Sequence, residues 1–324
     1  MKRTFRFGIC MFLVLCLILP FPIHAAADTD TSGIDTFRKP TKISSDLPNV
    51  GGEYCFVYDS RQGLLTNRGG MYDKIYPASI TKLYTAYVAM QILSPSAPVE
   101  ATEELLAIPA WDSSKAHIQP GEVLTAEMLV AGMMLPSGND AAYLLAYAAG
   151  KLLAGSGSDP VHAIDVFMET VNEYAQQDGL TGTHFVTPDG YHDENHYTCM
   201  QDLIQIAWLV LNDPVVSKYA ATHRVTRTVP GEETEREWIN TNLMLDPDSP
   251  YYRRDVKGLK TGYTSRAGNC LICVQRTQDG RYMIAGVFRC PTTRDRFVGA
   301  NRMLITAENI KYPTAYLPVF TYIK

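Results

Sequence analysis

Ser79-Ile80-Thr81-Lys82 places a hydroxyl and an amine three residues apart at the start of an apolar run. Residues so spaced share a helix face, so the Lys82 amine can reach the Ser79 hydroxyl. A serine hydroxyl is a weak nucleophile until a base takes its proton. A lysine among apolar helices loses hydration, its pKa falls, and it becomes such a base. A helix N-terminus at Ser79 adds backbone N–H groups and positive dipole where an oxyanion would develop. Alone, the spacing reads more simply as an N-cap serine followed by a surface lysine. Two further patterns change that reading. Ser137-Gly138-Asn139 follows Leu135-Pro136 between two helical runs, and by itself is an ordinary turn and cap. Lys260-Thr261-Gly262 lies near the end of a strand-like run, where Gly262 lets another segment approach the backbone. Each pattern occurs once, in the order SxxK, SxN, KTG.

The elements that must position these residues are legible in outline. Tyr54 to Tyr58, a polar turn from Asp59 to Gly63, and Leu64-Leu65 suggest a hairpin. Residues 79–93 are apolar nearly all round, the mark of a buried helix. Residues 126–135 and 140–153 have helical spacing, and Ile164, Phe167, Met168 and Val171 make a 3.6-period stripe ending at Gly179. Val256 to Thr264, Asn269 to Thr277 and Tyr282 to Phe288 are strand-like, with Asp279-Gly280 a strong hairpin signal. Residues 294–310 close as a helix. Strands, then helices, then strands in hairpins predict an α+β fold, its antiparallel sheet split by a helical insertion at about 83–215.

Composition narrows the partners. Hydrophobic residues at 46% and charged residues at 19% are ordinary for a globular chain and exclude disorder or a fibre. A net charge of −5 without a basic run makes a poor partner for phosphate backbones, so no nucleic acid is expected. Residues 1–27 read as a secretory signal: Lys2, Arg3 and Arg6, an apolar stretch from Gly8 to Leu19, prolines, then Ala25-Ala26-Ala27. An uncleaved anchor is the alternative. Residues 28–47 read as a polar linker, and no integral membrane span is expected in the mature chain. Cys55, Cys199, Cys270, Cys273 and Cys290 remain after processing; an odd, scattered set is no disulfide framework, and small core hydrophobes are the better reading. The odd spacing of Cys270 and Cys273 in a strand points them to opposite faces.

The three ordered motifs are those of penicillin-binding proteins and class A β-lactamases. The chain resembles serine-type D-alanyl-D-alanine carboxypeptidases, the low-molecular-mass penicillin-binding proteins of peptidase family S11. Phe185 to Tyr197, Gly258 to Thr264 and Ala267-Gly268 are similar to that family's segments, and the likeness covers about residues 50 to 311. It implies a DD-peptidase/β-lactamase-like domain at 48–324, with a five-stranded antiparallel sheet flanked by helices and an all-helical subdomain. It leaves no C-terminal β-domain. It also implies a secreted, bacterial cell-envelope enzyme of peptidoglycan biosynthesis that needs no cofactor or metal. The substrate implied is a stem peptide ending in D-Ala-D-Ala, with β-lactams as covalent inhibitors. On these residues, Ser79 attacks the carbonyl between the D-alanines and Lys82 accepts its proton. Ser137 relays a proton to the leaving D-alanine, and Asn139 holds Lys82 and the substrate amide. The N–H groups of Ser79 and Tyr263 form the oxyanion hole, beside Gly262. Lys260 and Thr261 bind the terminal carboxylate; Arg296 either adds a bidentate contact to it or is structural.

Rival chemistries have their own requirements. A zincin needs both histidines on one helix face with glutamate directly after the first, whereas His192 is followed by Asp193 and lies after the turn-forming Pro188-Asp189-Gly190. A β-lactamase needs a glutamate to activate the deacylating water. Glu169 and Glu173 fall on the polar side of a periodic helix instead. A DD-endopeptidase on the same fold and a non-enzymatic penicillin sensor are further alternatives.

Overall fold

The computed structural model describes residues 50–155, 157–228 and 235–310. The expected signal at 1–27 and linker at 28–47 lie outside the described residues. The chain opens with the hairpin β1 (Tyr54–Asp59) and β2 (Gly63–Arg68), closed at the polar turn. A 3-10 turn, Ala78–Ile80, then leads into α1 (Thr81–Ile92). The helix expected from residue 79 therefore tightens over its first turn, as helix N-termini commonly do. Two-stranded β3 (Pro98–Glu100) and β4 (Val123–Thr125) bracket the short α2 (Glu103–Ala107). There follow α3 (Ala126–Met134), α4 (Asn139–Ala154), α5 (Pro160–Gln177), α6 (Met200–Asn212) and α7 (Pro214–Ala220). A second small ribbon pairs β5 (Arg224–Arg227) with β6 (Arg236–Ile239). The meander β7 (Val256–Thr264), β8 (Gly268–Arg276), β9 (Tyr282–Cys290) and the closing α8 (Thr293–Asn309) complete the described residues.

The main sheet has five strands in the order β2-β1-β9-β8-β7, every neighbour antiparallel. Alternate residues along its central strands enter two separate cores. Phe56, Ile272, Val274 and Ile284 pack into the helical layer with Leu83, Leu144 and Phe167. Val57, Leu271, Cys273 and Ala285 pack on the other face against Phe297, Met303 and Leu304 of α8. A strand covered on both faces reads as a continuous apolar run, which is why Asn269 to Gln275 shows no polar alternation. The period of two accordingly separates Cys270, in the first core, from Cys273, in the second. The five cysteines among the described residues are buried and unpaired.

α1 runs through the helical layer with nearly every side chain covered, including Lys82. α6 and α7 are additional to the helices expected from sequence, although α6 carries the readable stripe Leu203, Ile204, Ala207 and Val210. The β3–β4 and β5–β6 ribbons are additional too; strands of three or four residues hold too few positions to show a period. No helix among the described residues is long and apolar enough to cross a membrane.

The start of α4 is pinned by a buried carboxylate. Asp140 accepts hydrogen bonds from the backbone N–H groups of Ala116, at 2.8 Å, and Ile118, at 3.2 Å. Removing it strands two buried donors, each costing about 1–3 kcal/mol. Asp140→Ala is therefore expected to lower unfolding stability by about 2–5 kcal/mol, read as a shift of the urea midpoint at unchanged m-value.

Candidate active site

Ser79 stands in the 3-10 turn, half-buried at the floor of a cleft of about 550 Å³. Ala78 before it has a φ of 49°, a left-handed conformation that a residue with a side chain adopts only under constraint. Lys82, one turn on, has no exposed surface. Its Nζ donates to Ser79 Oγ at 2.9 Å, to Asn139 Oδ1 at 2.7 Å and to the Asp189 carbonyl at 2.9 Å. An ammonium has three donors, and these are three acceptors. Burial pushes the Lys82 pKa down to about 8, against the opposing attraction of the Asp189 and Asp140 carboxylates. When the amine is neutral it keeps two N–H donors and one lone pair. The two carbonyl oxygens cannot donate to that lone pair, whereas the Ser79 hydroxyl can. The neutral state therefore aims its lone pair at the Ser79 hydroxyl.

The Ser137-Gly138-Asn139 loop lies between α3 and α4. Ser137 has a φ of 63° and faces the cleft. Asn139 is the first residue of α4, and its N–H donates to the Ser114 carbonyl at 2.8 Å. Through that bond the 112–114 segment, which carries no sequence motif, becomes part of the cleft wall.

The opposite wall is β7. Gly262 lies so close to the nucleophile's turn that a Cβ there would sit 2.8 Å from the Pro77 carbonyl and 3.3 Å from the Ser79 nitrogen. Thr261 faces the cleft, and its hydroxyl is 2.6 Å from that of Thr241, a lining residue the sequence does not single out. Lys260 is fully buried behind this wall, with Nζ donating to the Thr261 carbonyl at 3.3 Å. Burial holds its pKa well below the usual lysine range, and the charges of Lys82 and Arg296 add to the effect. Tyr263 stands on the rim, 63% exposed. Arg296, in the first turn of α8, also lines the cleft. Its Nη1 donates to the Gly262 carbonyl at 3.3 Å, and its Nε is buried without a hydrogen-bond partner among the described residues. Every residue singled out from the motifs, and Arg296 with them, thus meets here. Ser79, Ser137, Asn139, Thr261, Gly262, Tyr263 and Arg296 lie on the surface of the cleft, with Lys82 and Lys260 behind them.

The loop from Pro188 to Thr198 closes the site and separates the two histidines. His196 is buried; its Nδ1 accepts from Val186 N–H at 3.0 Å, so the proton resides on Nε2, which donates to Thr81 Oγ1 at 2.8 Å. Burial pushes its pKa down to about 3, keeping the ring neutral. Both nitrogens are occupied by protein, so this ring props the loop against α1. His192 instead lies edge-on to Tyr76, its Nε2 3.5 Å from Glu194. Asp189 is a site residue that the sequence does not single out. It is 1% exposed, its carbonyl takes Lys82, and its carboxylate takes the Asn139 amide. Its sequence signals are its place in the turn Pro188-Asp189-Gly190 and in the family-like segment Phe185 to Tyr197, neither of which marks it individually. Glu169 and Glu173 are exposed on α5 and do not line the cleft.

Comparison with known proteins places the chain in a family. A family profile described as D-alanyl-D-alanine carboxypeptidase matches residues 44–292. D-alanyl-D-alanine carboxypeptidase DacF of Bacillus subtilis (strain 168) is 28% identical over 274 residues, covering 82% of this chain and 64% of that protein. The chain therefore spans a little under two thirds of that relative's length. A D-alanyl-D-alanine carboxypeptidase of Streptomyces sp. (strain K15) is 30% identical over 233 residues, 70% of this chain and 76% of its own. The crystal structure of the Streptomyces K15 DD-transpeptidase superposes with a TM-score of 0.73 at 25% identity, covering 82% of this chain and all of that one. By the family match across most of its length, the chain belongs to the D-alanyl-D-alanine carboxypeptidase family.

Proposed function

We propose that this protein is a serine DD-carboxypeptidase that removes the terminal D-alanine from peptidoglycan stem peptides through an acyl-enzyme on Ser79. The observation that carries the reading is Lys82: fully buried, poised near neutrality, and hydrogen-bonded to the one hydroxyl among its three partners. In the reaction, Ser79 Oγ attacks the carbonyl between the two D-alanines while its proton passes to neutral Lys82. The backbone N–H groups of Ser79 and Tyr263 stabilise the oxyanion. Ser137 passes a proton to the departing amine, and Asn139 keeps Lys82 aimed and holds the substrate amide. Water then releases the peptide from Ser79.

The carboxylate end of the substrate belongs at the cationic wall. Lys260 and Thr261 of β7 meet Arg296 of α8, whose Nη1 donates to the Gly262 carbonyl, and Thr261 and Arg296 line the cleft where a carboxylate would sit. That placement distinguishes a carboxypeptidase from an endopeptidase, whose substrate continues past the scissile bond. Glu169 and Glu173 stand outside the cleft, so neither activates water for rapid hydrolysis of a penicilloyl adduct, as a β-lactamase requires. The expected place of action is the bacterial cell envelope, outside the cytoplasm, with β-lactams as covalent inhibitors.

Mass spectrometry with a penicillin and with a pentapeptide ending in D-Ala-D-Ala tests the whole reading: a penicilloyl mass on Ser79 and release of D-alanine are expected, and Ser79→Ala should give neither. Acylation by a penicillin should rise with pH through about 8 as buried Lys82 loses its proton. Lys82→Ala should slow it by about 10²–10⁴-fold, the usual worth of a positioned general base. A flat profile across that range would assign the proton to another group. Amidating the substrate's terminal carboxylate should abolish turnover; equal rates on acid and amide would favour an endopeptidase. The penicilloyl adduct should far outlive the peptidyl acyl-enzyme, because the opened drug keeps its leaving amine tethered where water must approach. Catalytic nitrocefin turnover dependent on Glu169 or Glu173 would make the protein a β-lactamase instead.

A further inference from the structure

Three carbonyl or carboxylate oxygens of one residue are engaged at the heart of this site, and that residue belongs to none of the three motifs. The Asp189 backbone carbonyl accepts from Lys82 Nζ at 2.9 Å. Its Oδ2 accepts from Asn139 Nδ2, and its Oδ1 accepts from the Tyr191 N–H at 2.9 Å. The loop that presents it is clamped to α1. Thr85 Oγ1 donates to the Pro188 carbonyl at 2.8 Å, and Gly190 lies so near the nucleophile's turn that a Cβ would meet the Ala78 carbonyl at 2.0 Å.

The chemistry of the pair decides the direction of the Asn139 amide. An asparagine side chain has a donor end and an acceptor end of nearly the same shape, and can present either to a neighbour. An ionised carboxylate only accepts, so Asp189 demands Nδ2 and turns Oδ1 toward Lys82. Without that demand nothing in the Lys82–Asn139 pair requires Oδ1 to face the amine once Lys82 is neutral. We propose that Asp189 is a positioning residue of the acylation machinery, its carboxylate setting the orientation of Asn139 and its charge and carbonyl holding Lys82 against Ser79. This rests on the serine-acylation reading above and adds to it the group that keeps the base aimed.

The charges around Lys82 make the role measurable. Asp189 from the loop and Asp140 from the first turn of α4 favour its protonated form. Lys260 from β7 also faces this region, itself held toward its neutral form by burial and by the charges of Lys82 and Arg296, and buried His196 behind the turn is neutral. Replacing Asp189 by asparagine removes one of the two favourable charges while keeping the volume. It also sets amide against amide. If the new amide offers its oxygen to Asn139, its NH₂ meets the Tyr191 N–H; if it turns over, that NH₂ meets the Asn139 NH₂.

The experiment is the pH profile of acylation by a fluorescent penicillin, wild type against Asp189→Asn, with thermal melts to show that both are folded. We expect the maximal rate of the variant to fall at least about tenfold, as for loss of a group that aligns a general base. The midpoint should move to lower pH by about one unit, the usual effect of a nearby opposite charge. Should Asp189→Asn not fold, Asp189→Ser, smaller and equally neutral, carries the same comparison. A reduced rate with an unmoved midpoint would make Asp189 a structural prop and overturn the inference. Normal acylation with slowed release of the acyl group would overturn it too, making Asp189 the base for deacylation. A wild type that forms no adduct removes both this inference and the reading it rests on, whereas a variant equal to an active wild type removes this inference alone.

Discussion

An amine buried without exposed surface in an apolar helical layer is the constraint around which this protein is arranged. A lysine in such a place keeps its charge only if acceptors meet each of its donors. Lys82 finds them on three separate elements: the turn carrying Ser79, the first residue of α4 and the loop at Asp189. Those elements are 57 and 107 residues from Lys82 in the two longer cases, so the whole helical layer must assemble before the amine is satisfied. The three partners are not equivalent. Two are oxygens that only accept, and the third is a hydroxyl that can also give, so proton loss from the amine costs no contact and leaves its lone pair facing that hydroxyl.

The sheet and the helices approach the nucleophile from opposite sides, and steric room is what lets them. β7 brings its backbone against Pro77 and Ser79 at Gly262, where any side chain would push the KTG wall away from the hydroxyl. On the helical side, the 188–198 loop rests on α1 through His196, whose neutral ring bridges the loop backbone to Thr81. A protonated ring would set its Nδ1–H against the Val186 N–H, which is why burial and geometry agree on the neutral form. The cleft thus lies where the β7 edge of the sheet meets the helical layer, two layers that share one core.

How far this could be read in the sequence follows from the range of the interactions. Local patterns carried the hairpin at 59–63, the buried helix after Ser79, the β7–β9 meander and the opposite facing of Cys270 and Cys273, because period and turn chemistry act over a few residues. The motif residues were legible because their types and order are unusual together. Asp189 and Thr241 were not. Their partners are 50 residues away at Asn139 and 20 away at Thr261, and an aspartate in Pro-Asp-Gly looks locally like any turn former. The 3-10 start at Ala78–Ile80 was hidden for the same reason: the strained φ of Ala78 is imposed by what packs on it, not by the residue itself.

The two buried lysines show how one cleft makes opposite demands on the same side chain. Burial lowers the pKa of both. Around Lys82 the charged neighbours that oppose this are the carboxylates of Asp189 and Asp140, which bring the amine back to where both protonation states are accessible near neutral pH. Around Lys260 the charged neighbours are Lys82 and Arg296, both cations, which drive it further toward the neutral form. An anion placed beside Lys260 would supply the missing opposite charge and favour its protonated form. The two amines stand on different elements, Lys82 on α1 and Lys260 on β7, so the charge of one acts on the other through space across the junction of helix and sheet.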